Sequence, residues 1–495
     1  MLITLLALPL VAALLGGLAP WRPWVSWAGA VATAGVLGVG VALAVRVVVH
    51  GPVLALDGIL RADALSAFMV LVIGAVGLLA SVASVRYLVD QRNHGRTSAR
   101  RAALYATLVP LFLAAMVLTV LAANIGVMWV GVEATTIVTT FLVGHRNTRG
   151  AVEASWKYVI ICSVGIALAF FATVLVYLAA RHAGGTTLTW TALMAGSAHF
   201  NPAVMRLAFA LAVLGYGTKV GLAPLHSWLP DAHSQSPAPV SALMSGVLLS
   251  VAFYALLRVR AIALGSVGPG FVRVILVSVG LVTLALAASM MLGQRDYKRL
   301  LAYSSMEHVS LFTLAAAAGT PLAMAAALYH VLGHGLTKGS LFLTSGELLE
   351  VEGTSRIDGV RALLARRPAL GAVFALGLAS LLGFPPFSIF LSELTMFRAE
   401  SAVGLGWVVA LTLVALAVVF VAFGSVARTM LFGAVDAGSP TAASPDATSP
   451  GAAPSRSRAS AVAPLVVALV AVAAIGLVAW PLDSLLHAAA ATVAP

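Results

Sequence analysis

Two lysines lie in otherwise apolar stretches of the sequence, each among other titratable residues. Lys219 stands in LGYGTKVGLAPLHSWLPDAHSQSPAPVS, where Pro224 and Pro230 are expected to break a helix because proline lacks a backbone N–H. Lys338 stands in ALYHVLGHGLTKGSLFL. A charged lysine in hydrocarbon is costly and normally marks a functional site, and a broken helix at membrane depth is tolerated only inside protein or beside a wet cavity. Together these features predict an ion pathway.

The choice of lysine at these two positions is informative. Only four of the 29 basic residues are lysines, and arginine fills most loop positions. Arginine stays protonated in proteins, whereas a buried lysine can lose its proton near neutral pH. The composition therefore indicates that these two sites change charge.

Glu133 is the carboxylate expected to partner Lys219. It lies in NIGVMWVGVEATTIVTTFLVG, and Thr136 and Thr140 follow at spacings that place them on the same helix face. An ion pair would hold both groups charged, and separating the pair would drive a proton off the lysine. Two other interpretations stay open: a structural glutamate capped by hydroxyls, and a permanent salt bridge that holds helices together.

A second set of titratable residues forms one stripe on one helix face, because His330, His334 and Lys338 recur at intervals of four residues. Water between the three side chains would let a proton pass along the stripe. The two histidines also have the spacing of a metal site, but no acidic third ligand lies at a suitable offset nearby, so no metal site is predicted. A stripe that only packs helices together is the remaining alternative.

Five more polar residues accompany these segments. His308, in AYSSMEHVSL, is expected either to connect the stripe to the first half of the chain or to belong to an interfacial cluster. Glu393 follows a second helix break, GFPPFSIFLSE, and is expected to exchange protons with water outside the membrane. The first break contains His226, Asp231 and His233, which are predicted either to form a proton entrance or to cap the broken helix ends.

The bulk composition indicates what must position these residues. Of 495 residues, 61% are hydrophobic and 9% are charged, with a mean hydropathy of +1.03, whereas soluble proteins carry about 25% charged residues. The sequence therefore predicts an all-α polytopic membrane protein. Taking about 20 apolar residues for each span gives fourteen spans, centred near residues 11, 36, 75, 113, 134, 168, 213, 249, 281, 309, 335, 385, 417 and 471.

Cysteine content and charge exclude several classes of protein. The single cysteine, Cys162, excludes a disulfide framework and an iron–sulfur cluster held by this chain alone. The formal charge of +12 is attributed to loop arginines rather than to nucleic-acid binding. Most basic residues fall in alternate loops on one side, so the positive-inside rule places both termini outside a bacterial-type inner (plasma) membrane. The N-terminus lacks a basic leader region and is interpreted as a retained first helix.

The two predicted breaks suggest an internal repeat. Each broken span is the fourth in a run of five, and five is odd, so the runs cross the membrane in opposite senses. The predicted organisation is three N-terminal helices, a first repeat, a second repeat, a flexible linker and a C-terminal helix, at residues 1–100, 101–260, 270–432, 433–460 and 461–495.

Several of these segments resemble a known family. They are VGVEATTIV, GTKVGLAPLHSWLPDAHSQSPAPVSALMSG, QRDYKRLLAYSS, HVLGHGLTKGSLFL and GFPPFSIFLSE, and the similarity extends over about residues 60–430. The family is that of the proton-conducting antiporter-like subunits of respiratory complex I, including its M subunit, of Mrp-type cation/proton antiporters and of membrane-bound hydrogenases. Within it, EASWKYVIICSVGIAL and AYSSMEHVSL are most similar to the F subunit of Hyf-type hydrogenase complexes.

The resemblance implies fourteen helices, two inverted five-helix repeats and a chain of polar residues along the midplane. It implies Glu133 as the regulating acid and Lys219 as its partner. The implied central relay and terminal site are His308, His330, His334, Lys338 and then Glu393. One position departs from the pattern. Many relatives carry a lysine in the eighth span, where this chain has Ser250, which binds water but carries no charge. Two interpretations stay open at this position: water bridges the gap between Lys219 and the central histidines, or the chain conducts protons poorly.

The predicted function is proton translocation by a membrane subunit of a hydrogenase-like or NADH:quinone-type oxidoreductase complex. The expected partners are other membrane and peripheral subunits and the lipid bilayer, and no cofactor is expected on this chain. One alternative is a subunit of a multisubunit Na⁺/H⁺ antiporter without a redox partner. A second alternative is a non-conducting structural membrane subunit.

Overall fold

The computed structural model describes residues 1–434, 457–478 and 480–494. The first half of the chain is a succession of helices joined by short loops. Asn, Asp, Ser and Thr precede many of them and accept hydrogen bonds from the first turn, which satisfies backbone N–H groups that have no partner within the helix. The helices are α1 (Leu2–Leu18), α2 (Pro23–His50), α3 (Ala64–Asn93), α4 (Ala99–Leu121), α5 (Ile125–Val143), α6 (Arg149–His182), α7 (Trp190–Gly196), α8 (Pro202–Val220), α9 (Trp228–Gln235) and α10 (Ala238–Leu243).

The second half continues without an intervening loop, because a π-helical turn, Met244–Leu248, joins α10 to the next helix. That helix is interrupted at Gly268, whose φ of 75° is non-helical, and Pro269 follows. The break lies between the two predicted repeats. The helices are α11 (Leu249–Leu292), α12 (Tyr297–Ala318), α13 (Pro321–Glu352), α14 (Leu363–Arg366), α15 (Pro368–Leu381), α16 (Ser388–Ala402), α17 (Gly406–Phe432), α18 (Ser457–Leu477) and α19 (Trp480–Ala491).

Short elements other than α-helices interrupt the predicted all-α architecture. The α2–α3 connection contains a small antiparallel hairpin, β1 (Val53–Ala55) with β2 (Leu60–Ala62), so the chain is not strictly all-α. Among the described residues, three short 3₁₀ turns also occur, at Gly144–Arg146, Ser197–His199 and Ile357–Gly359. Most of the predicted linker, from residue 435 to residue 456, lies outside the described residues.

The helices form a multi-pass membrane protein. Within the described ranges, eight helical segments are long and apolar enough to cross a membrane, and a ninth is possible if the bent α18–α19 pair is one span. One of the eight runs through both α10 and α11. The prediction of fourteen spans therefore stays a prediction, since α12 and α13 carry many polar residues and α15 and α16 have only 14 and 15 residues.

The molecule places apolar side chains on its outside and polar ones inside. Large hydrophobic residues such as Val31, Trp156 and Val414 are more than 60% exposed. Exposed apolar surface on this scale suits contact with lipid rather than water. The interior holds many buried serines, threonines, histidines and lysines, and α12 and α13 carry many of them. The polar residues named from the sequence therefore lie between helices.

Both predicted breaks are present. α8 ends at Val220, and Gly221 follows with a left-handed φ of 92°. Pro224 lies in the following loop, after a cis peptide bond. The expectation that Pro230 also breaks the helix is wrong, because it lies in the first turn of α9, where its missing N–H is not needed. The second break separates α15 from α16, and its Pro385–Pro386 peptide bond is also cis.

Close helix packing positions the two lysines. α6 and α8 approach through Gly165 and Gly215, and a Cβ atom on Gly215 would lie only 2.5 Å from the Ala169 backbone nitrogen. The π-helical turn meets α13 where Gly246 and Gly335 face each other, and a Cβ on either glycine would come within 2.8 Å of the other's carbonyl oxygen. Small residues at such crossings let helix backbones approach closely. Lys219 on α8 and Lys338 on α13 are each a few residues from these crossings.

Candidate functional site

Lys219 is fully buried near the end of α8, and its partner is a tyrosine. Its Nζ atom donates a hydrogen bond of 2.5 Å to the hydroxyl of Tyr158 on α6. The same Nζ lies 4.9 Å from the centre of the Tyr158 ring. Trp228, the first residue of α9, packs edge-on against that ring at 5.0 Å. The helix break thus places an aromatic residue where it holds the tyrosine against the lysine.

Glu133 does not form the predicted direct ion pair with Lys219. No ion pair within 4.0 Å joins these two described residues, although they lie close enough to interact electrostatically. The Glu133 side chain is half-buried, and its Oε2 atom is buried without a hydrogen-bond partner. Tyr158 therefore occupies the position expected for the carboxylate.

Lys338 is fully buried and directed at α12. Its Nζ donates 2.8 Å to the backbone oxygen of Leu301 and also contacts the hydroxyl of Ser304. The adjacent Ser305 is hydrogen-bonded at 2.7 Å to Ser245, in the π-helical turn. The serine pair of α12 thus connects the lysine of α13 to the segment that follows the first break.

Three histidines gather beside Lys338. His308 Nδ1 and His330 Nε2 are 3.0 Å apart, and His330 Nδ1 is 2.8 Å from the hydroxyl of Ser392 on α16. The His334 ring lies 4.9 Å from the His308 ring, and both of its nitrogens are buried without hydrogen-bond partners. The fold therefore brings His308 to the stripe and excludes an exposed, interfacial position for it.

Two carboxylates complete this cluster. Glu393 places a carboxylate oxygen within 4.8 Å of one nitrogen from each of His308 and His330. Glu307 Oε2 lies 3.4 Å from His308 Nε2. Both glutamates line a cavity of about 290 Å³ between α12, α15, α16 and α17, whose other walls are apolar. The cavity gives water room to reach the glutamates.

The three residues predicted at the entrance do not form one site. Asp231 is bonded to two basic residues, Lys157 at 3.0 Å and Arg299 at 3.1 Å. His233 turns inward instead and is fully buried, stacked at 5.0 Å on Phe342 of α13. His226 is half-buried in the loop.

Ser250 is buried, and its hydroxyl has no hydrogen-bond partner among the described residues. The hydrogen bonds described above connect Lys219 only to Tyr158, and Lys338 only to α12. Ser250 therefore does not connect the two lysines through protein hydrogen bonds, and a hydrated gap and poor conduction both stay open at this position.

Several buried groups were not predicted as part of the interior. Lys298 is buried at the start of α12 and donates to the backbone oxygens of Ser234 and Ser236 at 3.0 and 3.1 Å. Arg258 is fully buried and paired at 2.7 Å with Asp63. Burial alone would raise the pKa of the Asp63 carboxyl, but the charge and hydrogen bond of Arg258 lower it below its usual range.

The sequence carries one signal for Tyr158 and another for Lys298. Tyr158 occupies EASWKYVIICS, the segment already singled out for its resemblance, and a tyrosine among apolar residues needs a hydrogen-bond partner when buried. Lys298 is one of only four lysines in the chain, so the lysine argument applies to it as well as to Lys219.

Comparisons with known proteins place this geometry in a family. Residues 122–420 match the family described as NADH:quinone oxidoreductase/Mrp antiporter, TM. A hydrogenase-4 component F homolog from Methylacidiphilum infernorum is 36% identical over 375 residues, which cover 73% of this chain and 78% of that protein. Hydrogenase-4 component B of Escherichia coli is 32% identical over 349 residues, 68% of this chain but only 50% of that protein.

Solved structures agree on the fold. A chain of an archaeal membrane-bound sulfane sulfur reductase superposes with a TM-score of 0.86 at 24% identity, with 100% of this chain and 98% of that chain covered. A chain of the Mrp complex from Dietzia gives 0.85 at 22% identity, covering 99% and 97%. These relatives are subunits of multisubunit membrane complexes. The chain belongs to the family of NADH:quinone oxidoreductase and Mrp antiporter membrane subunits.

Proposed function

We propose that this chain is the proton-translocating membrane subunit of a redox-driven membrane complex of the hydrogenase or NADH:quinone oxidoreductase type. One observation carries the proposal: Lys219, Lys338 and the three histidines are each 0% exposed, inside a protein whose outer surface is apolar. Ionisable residues in such positions are expensive and mark ion pathways. The component F homolog supports the hydrogenase type, since it matches most of both chains.

The proposed pathway has two parts. In the first, Glu133 and Tyr158 control whether Lys219 holds its proton. In the second, Lys338 passes a proton to His334, His308 and His330, and the two buried glutamates deliver it to the cavity. Water would bridge the interval at Ser250, because the buried hydroxyl there has a free hydrogen-bonding group.

The route into the second part passes through His233. This ring stacks on Phe342, which is four residues from Lys338 on the same helix. Lys298 is bonded beside it to the backbone of Ser234. Asp231, tied to Lys157 and Arg299, is then a structural link between helices rather than a proton carrier.

The finer topology belongs to the same proposal. It comprises fourteen spans, inverted repeats at residues 101–260 and 270–432, and an inner-membrane location with both termini on the outer side. The two helix breaks, one in each proposed repeat, support this arrangement. Discontinuous helices at corresponding positions are typical of inverted-repeat transporters.

Replacement of Lys219 by alanine tests the proposal. The purified complex is reconstituted into vesicles, and proton uptake is followed with a pH-sensitive dye while electron transfer is measured in parallel. Lys219→Ala is expected to abolish proton uptake and to leave electron transfer partly intact, because no redox group is involved. Lys157→Ala, at an exposed lysine, is the matched control. Unchanged proton uptake in Lys219→Ala would refute the proposal.

The antiporter alternative has support of a weaker kind. The likeness to the Mrp complex chain is at 22% identity and so concerns the fold alone. The subunits that copurify with this chain separate the two functions: hydrogenase-type redox subunits support the proposal, and small antiporter subunits support the alternative.

A further inference from the structure

Beside the proposed relay, the fold assembles a set of atoms suited to a metal ion. His308 on α12, His330 on α13 and Glu393 on α16 each place one potential ligand atom within 4.8 Å of the other two. In the sequence, no acidic residue stands near the histidines of α13 at a spacing that would place it on the same helix face. The fold supplies one from α16, a helix 63 residues further along, because α16 packs against α13.

Hydrogen bonding fixes which nitrogen of His330 is available. The Ser392 hydroxyl donates its only proton to the Ile389 backbone oxygen at 2.8 Å. Its oxygen must therefore accept the 2.8 Å hydrogen bond from His330, so Nδ1 carries the proton. The other nitrogen, Nε2, is left with its lone pair directed at His308 Nδ1, 3.0 Å away.

His308 supplies the facing nitrogen. Because His330 Nε2 carries no proton, the 3.0 Å hydrogen bond between the two rings is donated by His308 Nδ1. The Nε2 atom of His308 lies 3.4 Å from the Glu307 carboxylate and makes no hydrogen bond to a described residue. Metal ligands must be deprotonated, so an ion held by the two facing nitrogens would take the place of the Nδ1 proton. Histidines that bind metals usually have the second nitrogen held by an outer partner, which for His330 is Ser392.

We propose that His308, His330 and Glu393 form a binding site for a divalent transition-metal ion of the zinc type. Two imidazole nitrogens and one carboxylate oxygen suit Zn²⁺ better than Mg²⁺ or Ca²⁺, which prefer oxygen ligands. Zinc sites with three protein ligands keep an open fourth position. Water in the 290 Å³ cavity supplies that ligand.

The charges and spacing agree with this assignment. The carboxylates of Glu393 and Glu307 together neutralise a dication in a buried place. The positive charge of Lys338 does not compete for these carboxylates, because its Nζ is directed at Leu301 and Ser304 rather than at the site. Ligand atoms around a tetrahedral zinc ion are about 3.4 Å apart, so closing from 4.8 Å requires only side-chain movement.

Binding would have a consequence for transport, and that consequence rests on the proposed function. A metal ion on His308 Nδ1 and His330 Nε2 replaces the contact through which the proposed relay passes a proton. Zinc is therefore expected to inhibit proton movement reversibly, with activity restored by a chelator.

The first test measures zinc binding and does not depend on proton transport. The purified full chain in detergent is equilibrated with buffered Zn²⁺, bound metal is counted, and the zinc X-ray absorption spectrum is recorded. We expect one ion per chain, with two imidazole nitrogens among its ligands. His330→Gln should abolish this binding, and Ser392→Ala should weaken it by about 10- to 100-fold through loss of the outer hydrogen bond.

The matched control is His487→Ala, which removes an exposed histidine that lies 3.3 Å from Asp483 and could bind zinc adventitiously. Its zinc stoichiometry and affinity are expected to equal those of the wild type. A zinc absorption spectrum of the wild-type protein that shows only oxygen ligands would refute the proposed site. That measurement does not depend on whether any variant folds. Zinc bound through two imidazoles without inhibition of transport would confirm the site and refute the relay instead.

Discussion

Replacing Tyr158 by phenylalanine tests whether the tyrosine hydroxyl controls Lys219. The change removes one oxygen atom and keeps the ring. The 2.5 Å hydrogen bond from Lys219 Nζ is lost, while the contact of Nζ with the ring face at 4.9 Å remains. The packing of Trp228 against the ring also remains. The variant therefore isolates the hydroxyl.

The magnitude follows from the type of bond. A hydrogen bond to a charged group contributes about 1.5–3 kcal/mol, and the remaining cation–π contact about 0.5–2 kcal/mol. Because Lys219 is fully buried, no bulk water replaces the lost partner. The charged form of the lysine should become less populated by roughly 10- to 100-fold relative to the neutral form. Proton movement that requires the charged form should decrease by a similar factor.

The assay is proton uptake by vesicles that contain the reconstituted complex, normalised to the rate of electron transfer. Tyr216→Phe is the matched control. Tyr216 is a buried tyrosine on the same helix as Lys219, and its hydroxyl makes no hydrogen bond to a residue of the proposed pathway. Its removal should leave proton uptake unchanged. Proton uptake at the wild-type level in Tyr158→Phe would refute the idea that the hydroxyl holds the lysine charged.

Two further predictions concern the second lysine and the buried arginine. Lys338→Arg keeps the charge but should strongly impair proton uptake, because arginine does not release its proton and its planar group does not fit the Leu301 and Ser304 partners. Full proton uptake by vesicles that contain this variant would contradict the prediction, and Lys157→Arg is the control. Asp63→Ala should lower the thermal unfolding temperature and destabilise the protein by about 3–5 kcal/mol, because it leaves the Arg258 charge buried without its partner. Asp358→Ala, which breaks an exposed pair with Arg356, should leave the unfolding temperature unchanged, and equal effects of the two changes would refute the assignment.

Much of the fold was predictable because the controlling forces are local. Long apolar stretches form membrane helices whatever their neighbours, since the backbone must satisfy its own hydrogen bonds in lipid. The breaks at Pro224 and at Pro385–Pro386 were predictable for the same reason. Pro230 was assigned wrongly because a proline within a helix and a proline in its first turn look alike until the start of the helix is known.

The candidate site was predictable in its residue types but not in its partners. Lys219 and Lys338 stood out because lysine is rare in this chain and costly in an apolar segment. The expected Glu133–Lys219 pair is replaced by the Tyr158–Lys219 hydrogen bond, which depends on how closely α6 and α8 approach. Burial of Lys298 and Arg258 likewise depends on helices far away in sequence.

The sequence by itself determined that this protein is a helical membrane protein of its family, with two interrupted helices and a stripe of titratable residues on one of its helices. Hydropathy, the positions of prolines and the spacing of residues along a helix are properties of short segments, so they can be recognised without knowledge of the tertiary structure. Only the tertiary structure decided which side chains meet. Glu393 joins His308 and His330 because α12, α13 and α16 pack against one another, and such packing arises from the shapes of whole helix faces.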